Sequence, residues 1–251
     1  MRDPKHRDDI SKFLVHLTRA YDGQSAADNL VSILREKVIH ARNAHCLFKH
    51  EFSRLRFSSV LSGEFQTVCF TEAPLAQIRQ LVGEIPGRQI ALQPYGLVFN
   101  KNTLLSRGAN PATYLNAKGT KLREYLLDRF RDDFDGINQL SRLKQEQQKY
   151  YRSIIQYYSL VNIIRDNHDF TWEREWRHRG SFSFRYLDVV AIIARDPDTF
   201  EEKCREELSP VKFRYIQMIP IISPYWSYED IVETMSAKVW NNALAEQRRE
   251  A

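Results

Sequence analysis

Two carboxylates, two arginines and two tryptophans fall within six residues, Trp172-Glu173-Arg174-Glu175-Trp176-Arg177. The stretch runs into Ser181-Phe182-Ser183-Phe184-Arg185-Tyr186, which alternates polar and aromatic with a period of two, the pattern of a strand. Successive side chains of an extended chain face opposite ways. The spacing therefore predicts Trp172, Arg174 and Trp176 on one face and Glu173, Glu175 and Arg177 on the other. Carboxylates that close raise one another's pKa, and an arginine beside them partly offsets this. Such a pair, backed by packed tryptophans, is a layout that acid–base chemistry can use. The plainer reading is a strand carrying a ladder of ion pairs, because structural pairs mimic functional clusters.

Other residues able to do chemistry sit at the ends of predicted strands. His16, Thr18 and Arg19 form the polar tip of an apolar run over 10–19, where the plain role of His16 is a hydrogen-bonded core histidine. Thr71 and Glu72 lie at a strand-to-helix corner, since Thr67-Val68-Cys69-Phe70-Thr71-Glu72 reads as a buried strand and Pro74 suits a first helical turn. Thr71 there also reads as a simple helix cap. His40, His45, Cys46 and His50 are metal-ligand types, but their spacing matches no standard zinc site and no second cluster completes it, so no metal is expected.

The elements that must position these residues follow from periodicity. Ser25 is placed to cap a helix carrying Leu30, Ile33, Leu34 and Val38. A turn is expected over 58–63, a helix over 74–82, a strand over 95–99 and a short helix over 101–108 with a glycine stop. Residues 109–115 read as a loop entering a further strand. Residues 119–166 are rich in charge with apolar positions at helical spacing, and predict two or three helices broken at Asp135-Gly136. A strand over 189–194, a helix capped by Asp196 or Asp198 and ending at Leu208, a last strand over 212–222 and a terminal helix over about 227–248, opened by Ser227-x-x-Asp230, complete the chain. The expectation is one α+β domain over 1–251, with a central mixed or antiparallel sheet and a helical insertion at about 119–166.

Bulk properties narrow the class. With 37 Lys and Arg against 32 Asp and Glu, the net charge is +5, which permits a polyanionic partner without requiring one. Three cysteines without CxxC spacing argue against a disulfide framework. The charged N-terminus is unlike a signal peptide, and no apolar run approaches the roughly 20 residues of a membrane span. A cytoplasmic protein away from the membrane is expected.

Several segments together resemble the AbiGi abortive-infection family of bacterial phage-resistance proteins, which carries an antitoxin label. They are Val15-His16-Leu17-Thr18, Asn29-Leu30-x-x-Ile33-Leu34, Val68-Cys69-Phe70-Thr71-Glu72-x-Pro74-Leu75, Tyr95-Gly96-Leu97-Val98-Phe99-x-Lys101 and Trp172-x-x-Glu175-Trp176-Arg177. A more distant resemblance is to ADP-ribosyltransferases, including DarT-like toxins that modify DNA, in the order His16, Thr71, Glu175, in the His-x-Thr strand followed by Asn29-Leu30, and in the Glu173-x-Glu175 spacing.

The first resemblance implies a protein partner, a toxin or a phage protein. The second implies an ADP-ribosyltransferase-like sheet, NAD as cofactor and a nucleic acid or protein acceptor. In that reading Glu175 stabilises an oxocarbenium-like ribose, Glu173 positions or deprotonates the acceptor, and Thr71 orients the glutamate. His16 and Thr18 hold the ribose, and Arg19 or Arg177 a phosphate. A transferase and a non-enzymatic antitoxin-like module remain as the two functions. Glu175 separates them: burial in a salt bridge favours binding, and an open cleft shared with His16 and Thr71 favours catalysis. A nucleic-acid-binding regulator is a third reading, resting on net charge and the basic aromatic run at 54–57.

Overall fold

The computed structural model describes residues 11–85, 90–164 and 171–238. In chain order the elements are β1 (Phe13–Leu17), α1 (Ala26–Glu36), β2 (Val38–Ile39), a 3-10 turn (Leu47–His50) leading into α2 (Glu51–Arg54), α3 (Ser59–Gly63) and β3 (Thr67–Thr71). A 3-10 stretch (Leu75–Leu81), β4 (Gly96–Asn100), α4 (Lys101–Ser106), β5 (Asn110–Pro111) and β6 (Thr113–Asn116) follow. Then come α5 (Leu122–Asp133), a 3-10 turn (Leu140–Arg142), α6 (Gln145–Leu160), β7 (Val161–Ile164), a 3-10 turn (Thr171–Glu173) and β8 (Glu175–Arg179). The chain continues through β9 (Phe182–Ser183), a 3-10 turn (Tyr186–Asp188), β10 (Val189–Ile193), α7 (Pro197–Glu207), α8 (Pro210–Gln217) and β11 (Ile221–Ile222), and is helical again over 228–238. The expected α+β class is what is found. The expected terminal helix beyond 238, the end of the helical insertion at 165–166 and the charged N-terminus lie outside the described residues.

The chain forms two compact units, both discontinuous in sequence: Met1–Val38, Phe70–Ser106 and Ser183–Ala251 in the first, Ile39–Cys69 and Arg107–Phe182 in the second. The mixed sheet has the strand order β11-β10-β4-β1-β3-β8-β5. Strand β3 contributes residues 67–69 to the second unit and 70–71 to the first. Strands β10 and β11 run parallel, while β1 is antiparallel to β3 and β4, β4 to β10, and β5 to β8.

In the first unit the apolar alternation of β1, β4 and β10 buries Val15, Leu17, Val98, Ala191 and Ile193 in one cluster with Ile78 and Leu81. Helix α1 opens with a capping box: Ser25 Oγ accepts from the Asp28 amide at 3.2 Å, and Asp28 accepts from the Ser25 amide at 3.0 Å. Leu17 is in register with Gly96. A Cβ on Gly96 would lie 2.3 Å from the carbonyl oxygen of His16, so only glycine fits that close approach.

The second unit is built on aromatics. Phe48 stacks on Phe130 with centroids 4.6 Å apart and meets the edge of Tyr158 at 4.7 Å, and Phe52, Phe65 and Phe134 fill the same cluster. Polar residues bind its margins. Arg131 donates to both oxygens of buried Glu51, at 2.7 and 2.9 Å, tying α5 to α2, and the Tyr158 hydroxyl donates to Asp133 at 2.5 Å.

Several local expectations are corrected. Residues 212–222 are not one strand. Ser209 with extended backbone and Pro210 at the first helical position start α8, and only 221–222 are extended. The helical insertion does not stay helical: Val161-Asn162-Ile163-Ile164, in which Val161, Ile163 and Ile164 are β-branched, leaves α6 as β7 and pairs in parallel with β6. Residues 59–63 form a helix capped by Ser58 rather than a turn, and the helix after Pro74 is 3-10. Of 181–186, only residues 182–183 are strand, although Phe182, Phe184 and Tyr186 are all buried as the alternation requires.

The expected strand face of the 172–177 stretch is corrected as well. The Arg174 amide donates to the Thr171 carbonyl at 3.1 Å, closing a 3-10 turn, and Arg174 itself takes φ +46°. A left-handed arginine is uncommon and ends any alternation running into it. Strand β8 therefore begins at Glu175, and Glu173 does not share its face.

Candidate functional site

Within the second unit β8 places Glu175 and Arg177 two residues apart and hence on one face. Arg177 Nε donates to Glu175 Oε1 at 3.0 Å, and Arg177 Nη2 to Oε2 at 2.8 Å, a bidentate pair. Arg177 Nη1 donates to the carbonyl of Ser159 at 2.9 Å. That carbonyl lies in the last turn of α6, which has no intrahelical donor for it, so the guanidinium also caps the helix. From β6, the Tyr114 hydroxyl donates to Glu175 Oε2 at 2.5 Å, and from β3 the Cys69 thiol adds a hydrogen bond to the same carboxylate. One carboxylate thus gathers β3, β6 and β8, and its arginine adds α6.

The electrostatics follow from enclosure. The Arg177 side chain is 1% exposed and that of Glu175 14%. Burial alone would raise the Glu175 pKa, but the charge and hydrogen bonds of Arg177, with Cys69 and Tyr114, overcome it and hold the carboxyl at about 2. Burial likewise opposes the charge on Arg177, yet Glu175 raises its pKa above the ordinary arginine value. Burial, then the Glu175 charge, push the Tyr114 hydroxyl and the Cys69 thiol up, so both stay protonated as donors. The charge of Glu175 is neutralised in place, and both of its oxygens already accept hydrogen bonds.

The other candidate residues belong to the first unit or lie off the β8 face. Thr18 Oγ1 donates to the carbonyl of Ala26 at 3.0 Å or that of Tyr95 at 3.1 Å, which fastens β1 to the start of α1 and to the β4 approach. Asn29 Nδ2 donates to the Arg19 carbonyl at 2.8 Å, so Thr18 and Asn29 serve the strand–turn–helix corner. Arg19 lies over the Tyr21 ring at 5.8 Å. His16 is half-buried and meets the Phe70 ring edge-on at 5.8 Å. Thr71, paired across the sheet with Val15, is buried and accepts from the Ala73 amide at 3.2 Å, closing a local turn; the expected helix-cap role is not what it takes, since the 3-10 helix that follows has Pro74 at its N-cap and no side-chain cap. Glu72 receives Lys101 Nζ at 2.6 Å, joining the residue after β3 to the start of α4. Glu173 sits in the turn before Arg174.

These placements test the fit of NAD to its expected residues. The hydroxyl of Thr18 is spent on backbone carbonyls, and Arg177 is enclosed by Glu175 and Ser159, so neither presents a polar group to a ribose or a phosphate. Of the expected set, Thr18 and Arg177 are therefore not placed to hold that cofactor. Among the described residues no group of three or more His, Cys, Asp and Glu is arranged to hold a metal ion, and no helix is long and apolar enough to cross a membrane.

Sequence spacing finds the pair Glu175–Arg177 but misses Tyr114, Cys69 and the Ser159 carbonyl. They lie 61, 106 and 16 residues from Glu175 in sequence, and nothing in their local pattern marks a shared partner. No protein-family model matches the chain, and no curated protein or solved structure matches it.

Proposed function

We propose that this chain is a partner-binding module of the abortive-infection kind that its motifs resemble, with no transferase turnover. The observation that carries the reading is the enclosure of Glu175. A carboxylate can stabilise a developing oxocarbenium only if its charge and an oxygen face the substrate. Here Arg177 compensates the charge, and Arg177 and Tyr114 take the oxygens. The same bonds are well suited to fixing four elements of the second unit, as a binding scaffold requires. What favours the alternative, an NAD-dependent ADP-ribosyltransferase, is the ionised state of Glu175 at neutral pH.

The test is NAD binding and NAD cleavage by the purified chain, with Glu175→Gln alongside. The binding reading expects neither at millimolar NAD. Cleavage that disappears in a folded Glu175→Gln protein overturns it in favour of the transferase.

A further inference from the structure

Helix α8 exposes apolar side chains at helical spacing. Val211, Tyr215 and Met218, at i, i+4 and i+7, are 64%, 44% and 40% exposed, while Ile216 and Ile219 on the other side are buried. Exposed apolar residues scattered singly are ordinary, but a row along one helix face marks a contact surface. The row is held rigidly. The Tyr215 ring stacks on Tyr186 at 5.2 Å and 16°, and the Tyr186 hydroxyl is anchored to the Leu34 carbonyl at 2.8 Å. The next residue, Leu187, is 79% exposed.

The charged side chains of α8 itself are both cationic. The helix sequence Pro-Val-Lys-Phe-Arg-Tyr-Ile-Gln holds two cations and no carboxylate, with Lys212 and Arg214 flanking Val211 and Tyr215 on either side. Lys212 Nζ donates to the Arg35 carbonyl at 3.0 Å, a neutral acceptor that leaves its charge uncompensated by that bond. Arg205 lies over the Phe213 ring at 5.5 Å. Two neighbouring carboxylates are held by cations, Asp188 by Arg185 at 3.0 Å and Glu207 by Arg35 at 3.1 Å and Lys203 at 2.6 Å.

We infer that the α8 face is the docking surface for an amphipathic helix of a partner protein, apolar along one side and acidic along its flanks. An apolar row with cationic borders complements that occupant in both packing and charge. The inference rests on the partner-binding reading and names its surface and the chemistry of its ligand.

The experiment uses the full chain and a synthetic amphipathic helical peptide with Leu on one face and Glu on the other, beside a twin with Lys replacing Glu. Binding is read by fluorescence anisotropy and located by amide hydrogen exchange, and NAD cleavage is followed in the same samples. The Glu peptide is expected to bind, to protect α8, and to lose roughly tenfold or more in affinity with Val211→Glu but not with Val60→Glu, an equally exposed valine at 64% in the second unit. Should Val211→Glu fail to fold, Leu187→Glu makes the same comparison.

Equal binding of the Lys twin, protection elsewhere or indifference to both variants overturns the assignment. So does a single-stranded oligonucleotide that competes at α8, or a change in sedimenting mass of the chain alone caused by Val211→Glu, which makes the face a self-association surface. NAD cleavage by the wild-type chain sinks the binding-module reading whatever the peptide does. Peptide failure without cleavage sinks the α8 proposal alone.

Discussion

Arg177 holds Glu175 by two parallel hydrogen bonds while its third nitrogen caps the last turn of α6 at Ser159. The pair is thus a fastening between a strand and a helix end. Removing one member strands a buried charge, whereas replacing both by apolar groups need not. Arg177→Met is expected to destabilise the chain by about 3–5 kcal/mol, and Glu175→Leu with Arg177→Met together by clearly less than the sum of the single changes. Urea unfolding of the two single variants and the double variant closes the cycle.

Acid should loosen the same fastening. The Glu175 pKa in the folded chain, about 2, lies below the ordinary 4.5, so between those values the unfolded chain binds more protons and stability rises with pH. The contribution is fully present above about pH 5 and is lost as pH falls towards 2, and a shift of that size corresponds to roughly 3 kcal/mol. Urea midpoints taken from pH 6 down to pH 2 are expected to fall steeply for the wild type and with a shallower slope for Glu175→Gln.

Tyr114 donates to a charged acceptor from a separate element, β6. Tyr114→Phe keeps the ring and removes that bond, with an expected loss of about 1.5–3 kcal/mol in unfolding free energy. A loss below about 0.5 kcal/mol, within the range of ordinary surface changes, would show that β6 is held by its pairing with β7 alone.

Gly96→Ala tests the close approach of β4 to β1. The added Cβ meets backbone, the His16 carbonyl, and not a side chain that can swing away. The substitution is expected to lower the thermal midpoint by more than Gly63→Ala, at a helical position where an added Cβ meets nothing within 4 Å. Equal midpoints for the two variants would contradict the register Leu17↔Gly96.

Legibility in the sequence was uneven for physical reasons. Local rules found what local forces decide: the Ser25 and Asp196 caps, the break at Asp135-Gly136, the buried alternation of Phe182, Phe184 and Tyr186, and the existence of β1 and β10 as strands. They failed where a few backbone torsions outweigh pattern. Arg174 in the left-handed region takes Glu173 off the strand face. Pro210 turns an apolar run that reads as strand into α8, half of whose apolar residues face outward. The site was half legible, because Glu175 and Arg177 are two residues apart, whereas Tyr114, Cys69 and Ser159 come to them through tertiary structure that no spacing encodes.

The discontinuity of the two units sets an order of events during synthesis. Both segments of the second unit, Ile39–Cys69 and Arg107–Phe182, leave the ribosome before β10 and β11 exist, while the first unit by then has β1, α1, the end of β3, the 3-10 stretch Leu75–Leu81, β4 and α4. Domains generally fold as they emerge. The later-encoded body can therefore settle first, and the opening strands must wait with β4 bare along the edge that β10 will cover. A translational pause near residue 183 would lengthen that exposed interval, and chaperone demand for this chain should concentrate there.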